Sequence, residues 1–349
     1  MRTVSWQDGQ VVLIDQTTLP HQERLIKTRS VERLAEAIRK MEVRGAPAIG
    51  VTAAYAMALA ARQAAAGHPE RLLPELQDTR DFLATTRPTA TNLFWALDHM
   101  MSFARAQAAA GVADLAEAML AEANRMADED VAINQRLAEI GAELIPDGST
   151  ILTHCNCGPL CAVDLGTAMA PVIYAHQQGR RVHVYTDETR PRLQGAKLNA
   201  WELANARVPY TLITDNTAAY VMQQGKVDMV MIGVDRVAAN GDTAAKIGVY
   251  GVAVLAHYHK IPFYAVSPLS TIDMAVASGQ DIPVEQRDPD EVRKVNDTLI
   301  TMPDANVVNY AFDVTPHELI TAVVTEVGIV RPPYKERFES IFAEAGEMP

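Results

Sequence analysis

The sequence predicts an α/β protein, in which a Rossmann-like parallel sheet domain follows a mainly helical N-terminal domain with a small β portion. Two observations support this fold class. Long segments with helical apolar periodicity fill the N-terminal part. From Gly148 onward, short apolar strands alternate with helical stretches, which is typical of a parallel sheet covered by helices. We place the boundary in the segment "IPDG", with one domain at residues 1–146 and the other at residues 147–349.

The N-terminal domain is predicted to begin with a hairpin and to continue as helices. Residues 1–20 alternate polar and apolar side chains around the turn pair Asp8-Gly9, which indicates a small hairpin. Apolar residues from Val31 to Met41 recur at helical spacing after Ser30, a suitable N-cap. Three further helices are predicted at Pro47–Gln63, which is alanine-rich and apolar on all sides, Asn92–Ala110 and Leu115–Ile145.

Five short apolar runs are predicted to form the parallel sheet of the second domain. The strands are Thr150–His154, Val182–Thr186, Tyr210–Ile213, Met229–Val234 and Phe263–Val266. The helices between them are Cys161–His176, Leu193–Asn205 and Lys246–His257. Ligands of such sheets bind at the carboxyl ends of the strands. Those ends carry Cys155-Asn156, Asp187-Glu188, Asp215-Asn216, Asp235-Arg236 and Ser267.

The composition restricts the classes of function. The net charge is −12 and no basic stripe occurs, so we expect no binding to nucleic acid. No apolar run reaches the roughly 18–20 residues of a membrane span, and the polar N-terminus does not resemble a signal peptide. The three cysteines lie too close together for a secreted disulfide framework. We therefore expect a cytoplasmic protein. The absence of a G-x-G-x-x-G motif argues against a dinucleotide-binding fold of the usual kind, and no P-loop motif occurs either.

The segment "VRGAPAIG" suits a bound phosphate group. Pro47 fits the first turn of the helix that follows, and Gly45 allows close approach to the backbone. The N–H groups of Gly45 and Ala46 would then point at an anion beside Arg44.

The segment "TRPTATNLFW" provides a second position of this kind. Arg87 comes just before a predicted helix that Thr89 or Thr91 would cap. The alternative for Arg44 and Arg87 is that both are ordinary surface charges near helix starts.

The segment "THCNCGPLC" contains all three cysteines. Structural zinc usually takes four ligands, often as two C-x-x-C pairs, and this spacing has no second pair, so we expect no metal. Cys157 and Cys161 suit packing as small buried thiols, and His154 would face away from Cys155. Cys155 lies at the predicted turn from strand to helix, where a helix N-terminus would lower the pKa of its thiol and make it a base or nucleophile.

Asp235 ends the apolar segment "MVMIGVD". Desolvation at that position would raise the pKa of its carboxyl group and suit a proton donor, although Arg236 would act in the opposite direction. The alternative is a structural aspartate that caps the next turn.

Eight segments occur in an order that is specific to one family. They are "VRGAPAIG", "RPTATNLFWAL", "THCN", "DETRPRLQGAKLNAWEL", "DNTAAYVM", "DRVAANGD", "KIG" and "IPFYAVSPLSTID". Together, over residues 1–335, they resemble the family that contains methylthioribose-1-phosphate isomerases and the regulatory subunits of the eukaryotic translation-initiation nucleotide exchange factor.

The resemblance implies a homodimer that binds a sugar phosphate and needs no cofactor or metal. The implied reaction converts 5-methylthioribose 1-phosphate to 5-methylthioribulose 1-phosphate, an aldose–ketose isomerisation in methionine salvage. The implied catalytic residues are Cys155 and Asp235, the latter as proton donor. The implied substrate-binding residues are Arg44, Gly45, Ala46, Arg87, Gln194 and Lys246.

The sequence departs from the family pattern at several positions. Ala245 occupies the place of a usual asparagine, and Cys157, Pro159 and Val234 also differ from the common residues. These changes leave other sugars open, namely 5-deoxyribose 1-phosphate or ribose 1,5-bisphosphate. Another alternative is a non-catalytic sugar-phosphate or nucleotide sensor, which would be expected to lack Cys155 or Asp235.

Overall fold

The computed structural model describes residues 2–87 and 91–345. Its packing divides the chain into two compact units. The first contains the residues up to Ala132 together with Pro159–Gly166, and the second contains Ile133–Gly158 and the residues from Thr167 onward. The domain boundary predicted between residues 146 and 147 stays a prediction.

The first unit combines a small antiparallel sheet, in the order β1-β2-β3, with long helices. Its strands are β1 (Val4–Gln7), β2 (Gln10–Ile14) and β3 (Leu25–Thr28). Its helices are α1 (Val31–Arg39), α2 (Ala46–Gly67), α3 (Leu72–Ala84), α4 (Thr91–Ala109) and α5 (Leu115–Ala142). Helix α5 continues into the second unit.

Local chemistry explains how the elements of the first unit begin. Asp8 and Gly9 have φ of 49° and 74°, the left-handed pair that a tight two-residue hairpin requires, so the predicted hairpin is confirmed. The hydroxyl of Ser30 accepts a hydrogen bond from the N–H of Arg33 at 3.1 Å, which confirms the predicted cap of α1. Helix α2 is buried along most of its length because its small alanines let neighbouring helices approach on all sides.

The second unit contains the remaining elements. Its strands are β4 (Ser149–Thr153), β5 (Val182–Asp187), β6 (Tyr210–Ile213), β7 (Met229–Gly233), β8 (Arg236–Ala238), β9 (Thr243–Lys246), β10 (Phe263–Val266), β11 (Ile272–Asp273), β12 (Lys294–Val295), β13 (Thr298–Leu299), β14 (Phe312–Thr315), β15 (Ala322–Thr325) and β16 (Gly328–Val330). Its helices are α6 (Met169–Gln177), α7 (Ala200–Asn205), α8 (Thr217–Gln223), α9 (Val249–Tyr258), α10 (Asp290–Arg293) and α11 (Tyr334–Ala345). A π-helical segment, Gly195–Asn199, leads into α7.

The main sheet has the strand order β16-β15-β10-β7-β4-β5-β6. All neighbouring pairs are parallel except β15 and β16. The chain starts at β4, builds outward through β5 and β6, and then returns to the other side of β4 with β7. This doubly wound order confirms the predicted Rossmann-like sheet. The direction in which successive strands are added to the sheet reverses between β4 and β7.

A second sheet, in the order β11-β8-β9-β14, and a hairpin of β12 and β13 were not predicted. The β8–β9 pair follows β7 directly, and Lys246 is its last residue. The helix predicted at Lys246–His257 is therefore wrong at its start. It begins at Val249, because Gly248, with φ of 107°, separates strand from helix.

The helix predicted at Cys161–His176 is also wrong at its start. Pro159–Cys161 form only a short 3₁₀ turn, and α6 begins at Met169. Leu165 and Gly166 have φ of 64° and 79°, so a continuous right-handed helix cannot pass through them.

Among the described residues, no helix combines the length and the apolar character that crossing a bilayer requires.

Candidate active site

The two predicted catalytic residues lie at the point where the strand order of the main sheet reverses. Cys155 follows β4 and Asp235 follows β7. These strands are parallel neighbours, with Leu152 opposite Val230, so their carboxyl ends lie at the same edge. In doubly wound sheets this edge forms the ligand-binding crevice.

The backbone of Cys155 is held in a left-handed turn. Its φ is 72°, and its N–H donates to the hydroxyl of Thr189 at 2.8 Å. That hydroxyl donates in turn to the carbonyl of Asp187 at 3.1 Å, at the end of β5. A left-handed non-glycine residue costs roughly 1–2 kcal/mol, so this conformation persists because the surrounding structure imposes it. The half-buried side chain of Cys155 therefore extends from a backbone whose position is fixed.

The expectation that Cys155 lies on a turn leading directly into a helix is wrong. The residues that follow are irregular, and the nearest α-helix along the chain in this direction, α6, starts only at Met169. Fixed hydrogen bonds, rather than a helix that begins at this turn, determine the position of Cys155.

Cys157 and Cys161 are buried, as the packing interpretation predicts, and none of the three cysteines forms a disulfide. The sulfur of Cys157 accepts a hydrogen bond from the N–H of Gly233 at 3.3 Å. Burial, followed by the nearby Cys155, raises the pKa of the Cys157 thiol to about 12. Cys157 therefore stays protonated, and it connects the loop that follows β4, residues 154–161, to the end of β7.

Asn156 attaches the same loop to α7. Its amide donates to the carboxylate of Glu202, and both side chains are buried. A Cβ atom at Gly158 would overlap that carboxylate, so a larger residue there would displace the side chain of Glu202.

Asp235 is exposed in this chain, whereas the sequence interpretation expected a desolvated carboxyl group. The reason is that it lies in the turn between β7 and β8 rather than inside the strand. Its N–H donates to the carbonyl of Ala244 at 2.9 Å, which fixes the backbone. The guanidinium of Arg236 lies 3.6 Å from the carboxylate of Asp273.

Two predicted substrate-binding residues, Lys246 and Gln194, belong to the second unit. The ammonium group of Lys246 donates to the carbonyl of Ala311 at 2.8 Å and lies 5.0 Å from the ring centre of Phe312. Gln194 is buried, and its Oε1 has no hydrogen-bond partner among the described residues. An unsatisfied buried acceptor costs about 1–3 kcal/mol, and a ligand hydroxyl group would remove that cost.

The residues predicted to bind phosphate through "VRGAPAIG" lie at the start of α2, in the first unit. Gly45 is the N-cap, with φ of 95°, and Ala46 is the first helical residue. A Cβ atom at Gly45 would overlap the backbone of Cys161, so the close approach expected of this glycine occurs within the protein itself. Arg44, Gly45 and Ala46 are all half-buried.

The second predicted phosphate position is only partly described. Arg87 is half-buried. Thr89 lies outside the described residues, and Thr91 is the first helical residue of α4 rather than its cap. Arg87 stays a predicted phosphate ligand, as do Arg44, Gly45 and Ala46.

Two groups of described side chains have ligand atoms close enough together to share a cation, and neither includes a cysteine. They are His154, Asp187 and Asp215, and Asp242, His317 and Glu318. In the first group both ring nitrogens of His154 are hydrogen-bonded, and both carboxylate oxygens of Asp215 accept backbone N–H groups. Hydrogen bonding within the protein thus accounts for these atoms, whereas Oδ1 of Asp187 is buried with no hydrogen-bond partner among the described residues.

Thr189 and Glu202 were not identified from the sequence as residues that support the site. The pairing of His154 with Asp187 was also not predicted. Thr189 is 34 residues away from Cys155, and Glu202 is 46 residues away from Asn156. The available signals were the position of Asp187 at a strand end and the family segment "DETRPRLQGAKLNAWEL", which contains both Thr189 and Glu202.

Replacement of Gly195 by alanine is expected to destabilise the site. A Cβ atom there would overlap the carbonyl oxygen of Asp187 and lie 2.9 Å from the hydroxyl of Thr189. We expect a loss of about 1–3 kcal/mol in the free energy of unfolding, measured by denaturant titration. Gly251→Ala is the matched control, because no atom lies within 4 Å of the added methyl group. Equal stability of the two variants would contradict this account.

Comparison with known proteins gives a consistent result. The profile of the Initiation factor 2 subunit family matches residues 42–332. The chain is 53% identical over 334 residues to a methylthioribose-1-phosphate isomerase of Chloroflexus aurantiacus, covering 96% of each sequence. It is 47% identical over 340 residues to a 5-deoxyribose 1-phosphate isomerase of Moorella thermoacetica, covering 97% of each. A crystal structure of 5-methylthioribose 1-phosphate isomerase from Pyrococcus horikoshii superimposes with a TM-score of 0.93 at 45% identity, covering 98% of this chain and 96% of that one.

Proposed function

We propose that the chain, which belongs to the Initiation factor 2 subunit family, is a methylthioribose-1-phosphate isomerase, because it is 53% identical over 334 residues to a relative of that name. The reaction is the conversion of 5-methylthioribose 1-phosphate to 5-methylthioribulose 1-phosphate in methionine salvage. The observation that carries the proposal is the placement of Cys155 and Asp235 after the two strands at which the sheet order reverses.

The substrate explains why these two side chains are needed. In an aldose 1-phosphate, C1 is held as an acetal, so the ring does not open freely to an aldehyde. An acid near the ring oxygen assists cleavage of the C1–O bond, and we assign this role to Asp235. Because Asp235 is exposed in this chain, we infer that the bound sugar itself covers its carboxyl group.

A hydrogen must then move from C2 to C1, and we assign Cys155 to this step. In one route the thiolate removes the C2 proton and returns a proton to C1. In the other a hydride passes directly from C2 to C1 while Cys155 stabilises the transition state. In both routes the C2 hydroxyl group loses its proton as the C2 carbonyl forms, which balances the proton that the ring oxygen receives. Deuterium at C2 separates the routes, because complete loss to solvent is the result of proton transfer and retention at C1 is the result of hydride transfer.

The remaining assigned residues hold the substrate. The unsatisfied oxygen of Gln194 suits a sugar hydroxyl group, and Lys246 supplies a cation for the phosphate. Ala245, which occupies the place of the family's asparagine, is buried in β9 and has no polar side-chain atom to offer. Correct orientation of the reacting atoms by such contacts contributes several kcal/mol.

A second candidate substrate is 5-deoxyribose 1-phosphate, because one relative at 47% identity bears that activity in its name. The two sugars differ only at the 5-substituent. Apolar contacts discriminate such groups by about 1–3 kcal/mol for each methylene-sized change, so both sugars are expected to react.

A substrate panel tests the proposal. The purified protein is incubated with 5-methylthioribose 1-phosphate, 5-deoxyribose 1-phosphate and ribose 1,5-bisphosphate, and ketose formation is followed by NMR. We expect the highest kcat/KM for the methylthio sugar, with a preference over the deoxy sugar of roughly 10–200-fold. A higher kcat/KM for the deoxy sugar would reassign the substrate, and no turnover of any sugar would contradict the proposal.

We also propose that the enzyme acts as a homodimer in the cytoplasm, as the family resemblance implies. An exposed apolar row on α9, formed by Tyr250, Val254 and Tyr258, offers a surface that a second copy would cover.

A further inference from the structure

We propose that His154 is a positioning residue for the isomerase reaction, because its buried ring joins the turn of Cys155 to the segment that carries Lys246. The proposal rests on the function proposed above. His154 immediately precedes Cys155 and is 2% exposed. Its Nε2 lies 2.9 Å from the carbonyl oxygen of Ile247, and Ile247 immediately follows Lys246. A single side chain therefore connects the neighbours of a catalytic residue and of a substrate-binding residue.

The hydrogen-bond partners determine which ring nitrogen carries a proton. The carbonyl of Ile247 only accepts, so Nε2 of His154 must donate. Nδ1 lies 2.9 Å from Oδ2 of Asp187, and the second proton of the pair lies between these two atoms. Asp187 thus holds the ring in the orientation that directs Nε2 at Ile247.

The charged groups around the ring favour this arrangement. Asp187 at the end of β5, Asp215 after β6 and Asp313 on β14 all face His154. Burial alone would lower the pKa of His154, but the hydrogen bond and charge of Asp187, together with Asp215, raise it above the ordinary value. Burial raises the pKa of Asp187 to about 6, against the effect of His154.

The backbone after Lys246 is shaped to meet the ring. Gly248 has φ of 107°, and a Cβ atom there would lie 2.9 Å from both Cε1 and Nε2 of His154. The N–H groups of Gly248 and Tyr250 donate to the two carboxylate oxygens of Asp313, at 2.7 and 3.0 Å. This segment is therefore held by His154 and Asp313, and the N–H of Ile247 also donates to the carbonyl of Ala311 at 3.1 Å. Loss of the His154 contact leaves the carbonyl of Ile247, next to Lys246, without the donor that orients it.

Two substitutions distinguish the hydrogen bond from His154 to Ile247, called the bridge below, from simple packing of the ring. In His154→Gln the amide nitrogen reaches the region of Nε2, so a donor to Ile247 remains. In His154→Asn the amide reaches only the region of Nδ1, so the bridge is lost. Displacement of catalytic groups by about 1 Å can cost 100-fold, so we expect kcat/KM to fall about 100-fold in His154→Asn, with both a lower kcat and a higher KM. We expect a fall of no more than about 10-fold in His154→Gln.

The matched control is His183→Asn. His183 is a half-exposed histidine of β5 whose Nε2 lies 3.0 Å from the hydroxyl of Thr211, and it has no assigned role in the site. Its kcat and KM are expected to equal those of the wild type. In a Lys246→Ala background, His154→Asn is expected to cause no further increase in KM, since its effect on KM acts through Lys246. A merely structural role would not produce this dependence.

The wild-type protein supplies a measurement that is independent of turnover. Nitrogen-detected NMR of ¹⁵N-histidine-labelled protein is expected to show a protonated Nε2 on His154. An unprotonated Nε2, or wild-type kcat and KM in folded His154→Asn, would overturn the proposal. If His154→Asn fails to fold, the ring spectrum and the His154→Gln kinetics decide. If the wild type turns over no sugar, the proposed function fails, while an unprotonated Nε2 in the ring spectrum would still rule out the hydrogen bond to Ile247.

Discussion

Cys155→Ser is expected to lower kcat by at least about 100-fold without unfolding the protein. The turn at residue 155 is held by a backbone N–H, which donates to Thr189, so serine preserves the geometry. Serine does not preserve the acidity of the thiol, because a hydroxyl group is a far weaker acid and cannot serve as the same base. Steady-state kinetics, with circular dichroism to verify the fold, measure the effect.

The control for this substitution is the same change at another buried cysteine. Cys161→Ser removes a thiol that packs in the first unit and has no assigned chemical role. We expect its kcat to stay within about threefold of the wild type, since the side chains are nearly equal in size. Near-normal turnover of Cys155→Ser, or an equal loss in both variants, would remove Cys155 from the catalytic assignment.

Asp235→Asn is expected to lower kcat by at least about 100-fold, because the amide cannot donate a proton to the ring oxygen. Its effect on substrate affinity should be smaller, since asparagine keeps the size and hydrogen-bonding capacity of the side chain. The backbone contact of residue 235 with Ala244 is unaffected by the substitution. The measurement is kcat and KM for 5-methylthioribose 1-phosphate.

Asp304→Asn provides the comparison, because Asp304 is exposed and lies in the segment after β13 with no assigned role. The account requires wild-type kinetics for this control. If Asp235→Asn retained wild-type kcat, the ring-opening acid would have to be a different group.

The strands that position the site were predictable because each is a short apolar run that ends in polar residues. The predicted bounds of β6 and β10 agree with the structure, those of β5 and β7 differ by one residue at one end, and those of β4 differ by one residue at both ends. The order of these strands in the sheet was not predicted from the sequence, because that order depends on the side to which each crossover connection returns. Ligands of doubly wound sheets bind at the carboxyl ends of the strands, so the polar residues at those ends indicated the position of the site.

The second sheet was missed although part of it carried a local signal. The turn between β8 and β9 contains Asn240-Gly241, a pair that favours tight hairpins. Recognition of this hairpin would have placed Lys246 at the end of a strand. The strand β15 was also missed, although its four residues are all buried, as are the four residues of β10, which was predicted.

The conformation of Cys155 was beyond the reach of local pattern. Left-handed backbone is expected at glycine, and here a cysteine adopts it because Thr189 holds its N–H from the end of another strand. The bridge from His154 to Ile247 spans 93 residues and depends on the meeting of two sheets. Such contacts arise from tertiary packing, so no sequence window contains them.

A crystal structure of the Asp235→Asn variant with bound 5-methylthioribose 1-phosphate tests the central claim most directly, because slow turnover preserves the substrate. The account predicts that C1 and C2 of the sugar lie within about 3–3.5 Å of the Cys155 sulfur or of a hydrogen-bonded intermediary, with the ring oxygen facing residue 235. A sugar bound away from the carboxyl ends of β4 and β7, or one whose C1 and C2 face away from Cys155, would contradict it.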